Sequence, residues 1–148
     1  MSHLMQRSYR IGRDGQTVVC DVVAARGEVD ALRDALSWRR DELSRVEHDD
    51  VDSVLALRAW MTLDDLLEST AVFGDEAPIT LTREQGLMLC ELATAYVAGR
   101  DVDSYQPVEE RDRIALLRTL LGPLMDLCCE FAAAEEEARA LREPPLPV

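Results

Sequence analysis

At 148 residues the chain has the length of one domain, and it can bury a core without the help of a metal or a disulfide. Hydrophobic residues make up 47% and charged residues 30%, the balance of a globular protein rather than a disordered one. No apolar run approaches the length of a transmembrane helix. Met1 to Arg10 contain no apolar segment of a secretory signal. We therefore expect a cytoplasmic protein with no membrane partner.

The charge of the chain is strongly acidic. Sixteen positive residues stand against 29 negative ones, the net charge is −13, and every positive residue is arginine because lysine is absent. Without lysine, Schiff-base catalysis and a P-loop phosphate site are excluded. Asparagine, which shares AT-rich codons with lysine, is also absent, and this points to a GC-rich bacterial genome. The acidic balance disfavours nucleic-acid binding.

The fold prediction is a mainly α, single-domain protein, a four- or five-helix bundle with an optional N-terminal β-hairpin. The helical domain is expected over residues 8–142, and Pro144, Pro145 and Pro147 predict an extended proline-rich tail over 143–148. Residues 1–7 are interpreted as disordered or cloning-derived.

Strand character is confined to residues 8–23. Valine-rich segments there flank Asp14-Gly15, a dipeptide typical of a tight hairpin turn. Two alternatives stay open, because Val18 and Val22 also keep the spacing of a helix. The segment forms either a hairpin that packs on helices or on another copy, or the beginning of the first helix. Arg7, Arg10 and Arg13 are interpreted as charges that keep a hairpin edge soluble rather than as a basic strip for phosphates.

The first long helix is predicted from about Glu28 to His48. Val29, Leu36 and Leu43 recur every seven residues and indicate an amphipathic helix that lies on the core. Trp38 lies off this apolar face, so it either meets a second helix or is exposed to a partner.

Asp49, Asp50 and Asp52 are predicted to supply the N-cap and first-turn carboxylates of a second helix, where negative charge suits the positive end of the helix dipole. Its apolar residues, from Val51 to Leu67, cover more than one face. A helix that is apolar on several sides is typical of a buried position, so we predict that the second helix is the central one.

Gly74 to Pro78 form the clearest break in the chain. The sequence Thr82-Arg-Glu-Gln85 that follows is a capping box and predicts a third helix, which Gly99 is placed to end. Pro107 then opens a fourth helix. Apolar spacing continues straight across Gly122-Pro123, so this region is either one long helix kinked at the proline or two helices nearly in line.

The residues that support catalysis or metal binding are scarce, and we predict no catalytic residue, no cofactor and no metal. His48-Asp49 lacks the further histidines that a metal phosphohydrolase needs. Asp64, Asp65 and Glu68 come closest to a metal-binding cluster, but they border an apolar helix and are interpreted as its solvated edge. The cysteines Cys20, Cys90, Cys128 and Cys129 have no CxxC spacing and are expected to be reduced.

The predicted function is non-enzymatic. Apolar positions on the second and fourth helices exceed what one buried stripe needs, and large apolar or aromatic side chains anchor protein interfaces. We therefore expect a protein-interaction or regulatory protein that works as a homo-oligomer or binds another protein. The candidate interface residues are Trp38, Trp60, Leu117, Leu121, Leu124 and Phe131.

Two other classes of function stay open. The net charge also suits an acidic immunity or antitoxin-like protein, or a DNA mimic, that neutralises a basic partner. A small-ligand-binding protein or metal-dependent enzyme with a pocket between helices is the other alternative. Its apolar cavity would be lined by Cys90, Tyr96, Met125 and Cys128.

Overall fold

The structure is a computed structural model that describes residues 6–44, 51–100 and 107–142. The predicted tail over 143–148, most of the predicted N-terminal segment, His48, and the first-turn carboxylates Asp49 and Asp50 lie outside these ranges. The described residues form four α-helices and a three-stranded sheet, which agrees with a mainly α chain. The elements follow in the order β1 (Arg7–Ile11), β2 (Val18–Ala25), α1 (Arg26–Ser44), α2 (Val51–Glu68), β3 (Glu76–Leu81), α3 (Arg83–Arg100) and α4 (Val108–Arg142).

The strands β1 and β2 form a hairpin. The alternative in which residues 8–23 begin the first helix is therefore wrong. β1 and β2 pair in antiparallel register, with Tyr9 opposite Cys20. At the turn, Gly15 has a φ of 73°, a conformation that glycine adopts without steric cost. The Asp14 carboxylate accepts hydrogen bonds from the main-chain N–H groups of Gln16 and Thr17 at 2.9 and 2.8 Å, and these bonds fix the turn.

The third strand, β3, departs from the sequence-based expectation, in which Gly74 to Pro78 are only a break in the chain. β3 pairs antiparallel with β2, with Ile79 opposite Val22, and gives the strand order β1-β2-β3. Proline is tolerated in an edge strand, since its missing N–H can lie on the unpaired side. Alternate residues of β3, namely Ala77, Ile79 and Leu81, are buried.

The central helix is α1, and the prediction that the second helix is central is wrong. α1 contacts all three other helices and the sheet, whereas α1 is the only helix of the described chain that α2 contacts extensively. Two fully or nearly buried small residues of α1, Ala31 and Ala35, allow neighbouring elements to approach it closely. The wide apolar surface of α2 is instead left partly uncovered.

The helices α3 and α4 pack against each other more extensively than any other pair of helices among the described residues. The predicted capping box begins α3: the Thr82 main-chain N–H donates to Gln85 Oε1 at 3.0 Å, and the Gln85 N–H donates to Thr82 Oγ1 at 3.2 Å. α4 runs without interruption through Pro123, so the alternative of two helices nearly in line is wrong.

One hydrophobic core lies between the inner face of the sheet and the helices. Val18, Cys20 and Val22 of β2 face this core, as strand alternation requires. Tyr9 joins the sheet to α4, because its hydroxyl donates to the Leu127 carbonyl oxygen at 2.9 Å. Over the described ranges, none of the helices combines the length and the apolar character that a bilayer span requires.

Candidate protein-interaction surface

Most of the predicted interface residues belong to the core of this chain. Leu117, Leu124 and Phe131 of α4 are completely buried, and Trp60 of α2 is 6% exposed. Their apolar area is therefore already covered within the chain. Leu117, Leu124 and Phe131 lie on the side of α4 that packs on α3, α1 and the sheet, and their regular spacing follows from this packing.

The two remaining predicted residues, Trp38 and Leu121, are half-buried and lie against the core. The Trp38 ring meets the Tyr96 ring edge to face, with the ring centroids 5.3 Å apart. Trp38 also lies beside Gly99, where an added Cβ would be 3.6 Å from the tryptophan ring. This confirms the first of the two expectations for Trp38, which meets another helix.

The exposed apolar residues gather on α2 and on the turn that follows it. Val54, Leu55 and Met61 of α2 are 41, 53 and 45% exposed, and Val72 and Phe73 are exposed after the helix. Half of the large apolar side chains exposed on the described chain lie in this one segment. We call Val54, Leu55 and Met61 the α2 surface.

α2 is held on α1 from one side only. Trp60, Leu63 and Leu67 form its buried stripe. Beside that stripe, Asp64 Oδ2 accepts a hydrogen bond from Arg40 Nη1 at 3.0 Å, and Asp64 Oδ1 lies 3.7 Å from Arg33 Nε. The paired charges and the buried stripe orient α2, and so they direct the α2 surface toward solvent.

The acidic residues that came closest to a metal-binding cluster do lie together. Carboxylate oxygens of Asp64, Asp65 and Glu68 are all within 4.8 Å of one another. Asp64 is already engaged by the two arginines of α1, so within the described chain only the exposed Asp65 and Glu68 of this cluster have carboxylates free for a new ligand. Two exposed carboxylates make a poor metal centre, whereas a guanidinium group can bridge them.

A large cleft opens between the hairpin turn, the start of α3 and the last turns of α4. It has a volume of about 1220 Å³ and includes Thr17, Leu87 and Glu136 among its lining residues. Two ion pairs lie in it, Arg83 Nη1 with Glu135 Oε2 at 3.6 Å and Arg139 Nη2 with Glu136 Oε2 at 2.9 Å. Among its lining residues, no three carboxylates lie close enough together to hold one metal ion.

A polar pocket of about 410 Å³ lies between α1, α3 and α4. Within it the Tyr96 hydroxyl donates to Glu110 Oε1 at 2.6 Å, and Arg113 Nη1 donates to Glu110 Oε2 at 2.6 Å. Arg113 Nε also lies 3.1 Å from Asp34 Oδ2 of α1. Burial, and then the bond to Glu110, raise the pKa of Tyr96. The groups satisfy one another, so the pocket is a polar link between three helices.

The apolar cavity that the enzyme or ligand-binding alternative required is not formed by its four residues. Tyr96 is 2% exposed, Cys90 and Cys128 are half-buried, and Met125 is 59% exposed on the surface of α4. One of the four thus faces solvent while another is in the core. Met125 faces away from the core because it follows the buried Leu124 by one position, a rotation of about 100° around the helix.

The arginines of β1 do not form a basic strip. Arg7 and Arg10 point to opposite faces of the sheet, because they are three residues apart on a strand. Arg7 Nε donates to Glu130 Oε2 of α4 at 2.7 Å, and Arg10 Nε donates to Asp21 Oδ2 of β2 at 2.5 Å. Both guanidinium groups therefore serve contacts within the chain.

Sequence reasoning missed one pattern on α2. Val54, Arg58, Met61 and Asp65 follow one another at intervals of four, three and four residues, which places them on one side of the helix. All four are exposed. The spacing is visible in the sequence, but only the structure shows that this side of α2 is exposed to solvent.

In the comparisons with known proteins, the chain matches no protein-family model, no curated protein and no solved structure. The functional interpretation therefore depends on the surface itself.

Proposed function

We propose that this protein is a non-enzymatic protein-interaction protein, and that it binds another protein chain through the α2 surface. The observation that carries the proposal is the one-sided packing of α2. Trp60, Leu63 and Leu67 are buried, while Val54, Leu55 and Met61 expose two-fifths or more of their surface to solvent.

The physical argument is that an apolar surface of this kind is costly to leave in water. Burying apolar area contributes roughly 25 cal/mol per Å², and isolated exposed residues are common, whereas clustered ones mark contact sites. An exposed face on an otherwise anchored helix is also ready to bind, because Asp64 and its arginine partners already fix the helix orientation.

The non-enzymatic part of the proposal follows from the side chains that the chain has. The sequence has no lysine and two histidines, so lysine nucleophiles are absent and histidine general bases are few. In the described ranges, the arginines Arg113 of the polar pocket and Arg83 of the large cleft form ion pairs with carboxylates that line the same sites.

The test compares variants of the full chain that place a charge on exposed apolar positions. Leu55→Glu and Met61→Glu alter the α2 surface, while Met125→Glu and Leu141→Glu make the same kind of change at exposed positions of α4. The measurements are co-purification from the source lysate and self-association by sedimentation.

We expect the α2 variants to lose a bound chain, either a second copy or a different protein, and the α4 variants to retain it. All four variants should keep the far-ultraviolet circular dichroism of the wild type. The proposal is wrong if no bound chain, of either kind, distinguishes the α2 variants from the α4 variants.

A further inference from the structure

The side of α2 that carries Val54, Arg58, Met61 and Asp65 has a charge on each side of an apolar centre. We call these four residues the α2 stripe. Arg58 and Asp65 form no ion pair with any residue in the part of the chain that the structure describes. The neighbouring Asp64, in contrast, is engaged by Arg33 and Arg40. Within the described chain, the stripe therefore presents one free cation and one free anion.

Arg58 and Asp65 are too far apart to neutralise each other. Seven residues of α-helix separate their Cα atoms by about 10 Å along the axis. Ion pairs within a helix join residues three or four positions apart. Each charge can be matched only by a group that comes from outside the helix.

A second copy of α2 supplies both matching charges when it lies antiparallel to the first. If Arg58 of one copy faces Asp65 of the other, symmetry places Asp65 of the first copy against Arg58 of the second. The two-fold axis then passes beside Met61 and Thr62, so the two Met61 side chains meet at the centre. Val54 lies near each end of the contact.

The parallel arrangement of two copies is disfavoured by the same charges. It would place Arg58 against Arg58 and Asp65 against Asp65, and like charges across an interface oppose association. The crowded carboxylates of Asp65 and Glu68 strengthen the antiparallel choice, since an incoming guanidinium relieves their repulsion.

We infer that a second copy of this chain docks on the α2 stripe, antiparallel, with two symmetric Arg58–Asp65 ion pairs around a Met61 centre. This inference rests on the proposed function and names its partner. Contact between one helix pair lies at the small end of specific interfaces, so we expect a dissociation constant on the order of 10–100 μM.

The test uses charge reversal on the full chain, followed by sedimentation equilibrium over about 5 to 500 μM, a range that brackets the expected constant. The single variants are Arg58→Glu and Asp65→Arg. The matched controls, Arg13→Glu and Asp112→Arg, make the same charge changes at other exposed positions. Circular dichroism and thermal melting verify that every variant is folded.

We expect each single reversal to weaken dimerisation at least tenfold, because both symmetric contacts become repulsive. The double variant R58E/D65R should dimerise again, and the control variants should dimerise as the wild type does. An equimolar mixture of the two single variants should form a heterodimer. At one contact the carboxylate introduced by R58E then faces the guanidinium introduced by D65R, and at the other contact the native Asp65 faces the native Arg58.

Three results would overturn the inference: a wild-type chain that stays monomeric over the whole range, single reversals that behave like their controls, or a mixture that fails to associate. The proposed function is tested separately, by the loss of a bound chain in Leu55→Glu and Met61→Glu. A monomeric protein that still binds a different protein through the α2 surface would reject the antiparallel dimer and keep the proposed function.

Discussion

The Arg26 guanidinium donates a hydrogen bond from Nη2 to the Thr70 carbonyl oxygen at 2.6 Å, and this contact joins the first turn of α1 to the turn after α2. The same guanidinium donates to Thr70 Oγ1 and to the carbonyl oxygens of Phe73 and Gly74. The Arg26 main-chain N–H also donates to the Asp75 carbonyl oxygen at 2.8 Å. One residue thus fixes the path from α2 to β3.

Replacement of Arg26 by lysine should destabilise the fold although the charge is kept. A lysine ammonium cannot reach carbonyl groups of three residues in the fork geometry of arginine. Because Arg26 is only half-buried, we expect a loss of about 1–2 kcal/mol in the free energy of unfolding. Urea denaturation measures this free energy, and Arg139→Lys at an exposed position of α4 is the control. Equal stability of both variants would show that the contacts contribute nothing measurable.

At Gly86 the helix α3 lies close to α4. A Cβ at this position would lie 2.9 Å from Leu127 Cδ2, and Leu127 is fully buried. We expect Gly86→Val to lower the free energy of unfolding by about 1–3 kcal/mol through overpacking. Gly99→Val in the same helix is the matched control, since an added Cβ there meets only ordinary contacts with Trp38. Equal stability of the two valine variants in urea would contradict the close approach.

The buried thiol of Cys20 makes stability depend on alkaline pH. Burial raises the pKa of Cys20 from 9.0 to about 11. The unfolded chain therefore loses this proton at lower pH than the folded chain does. Stability from this group is complete below pH 9.0 and is lost as the pH rises through about 11.

The measurement is the urea midpoint between about pH 8 and pH 10.5, the range over which the unfolded thiol ionises. Over that range, the free energy of unfolding should fall by about 1–2 kcal/mol less in Cys20→Ala than in the wild type. Part of the decrease should persist, because the pKa values of Tyr9 and Tyr96 are also raised by burial. Cys129→Ala on the surface serves as the control. A Cys20→Ala slope equal to that of the control would reject the assignment.

Two threonines near α3 should respond differently to alanine, because Thr82 belongs to the capping box and Thr94 does not. Thr82→Ala removes the acceptor of the Gln85 N–H and should cost about 1 kcal/mol of stability. Thr94→Ala, in the interior of the same helix, replaces an exposed threonine by a better helix former and should be neutral or stabilising by about 0.5 kcal/mol. Thermal melting measures both variants. Melting temperatures that shift by the same sign and size would contradict a role of Thr82 as the cap of α3.

Local patterns in the sequence determined those elements whose stabilising contacts are close in the chain. Thr82 and Gln85 form the reciprocal bonds of a capping box, and Asp14-Gly15 forms the hairpin turn. The apolar stripe from Ile114 to Phe131 continues through Pro123, as its spacing predicts. In each case the partners lie within a few residues or one helical period, so sequence spacing is sufficient.

Long-range placement was decided by the tertiary structure alone. β3 pairs with β2, which lies more than fifty residues earlier in the chain. The alternation of Ala77, Ile79 and Leu81 indicates a strand, but not the strand with which it pairs. The sequence determined that α2 is apolar on several sides, but not which side meets α1. The burial of Trp60, Leu63 and Leu67 settles that choice, with Asp64 paired to two arginines of α1 beside them. Only the folded chain therefore shows that Arg58, Met61 and Asp65 face outward. Periodicity defines the faces of a helix, whereas the contacts between helices decide which face is buried.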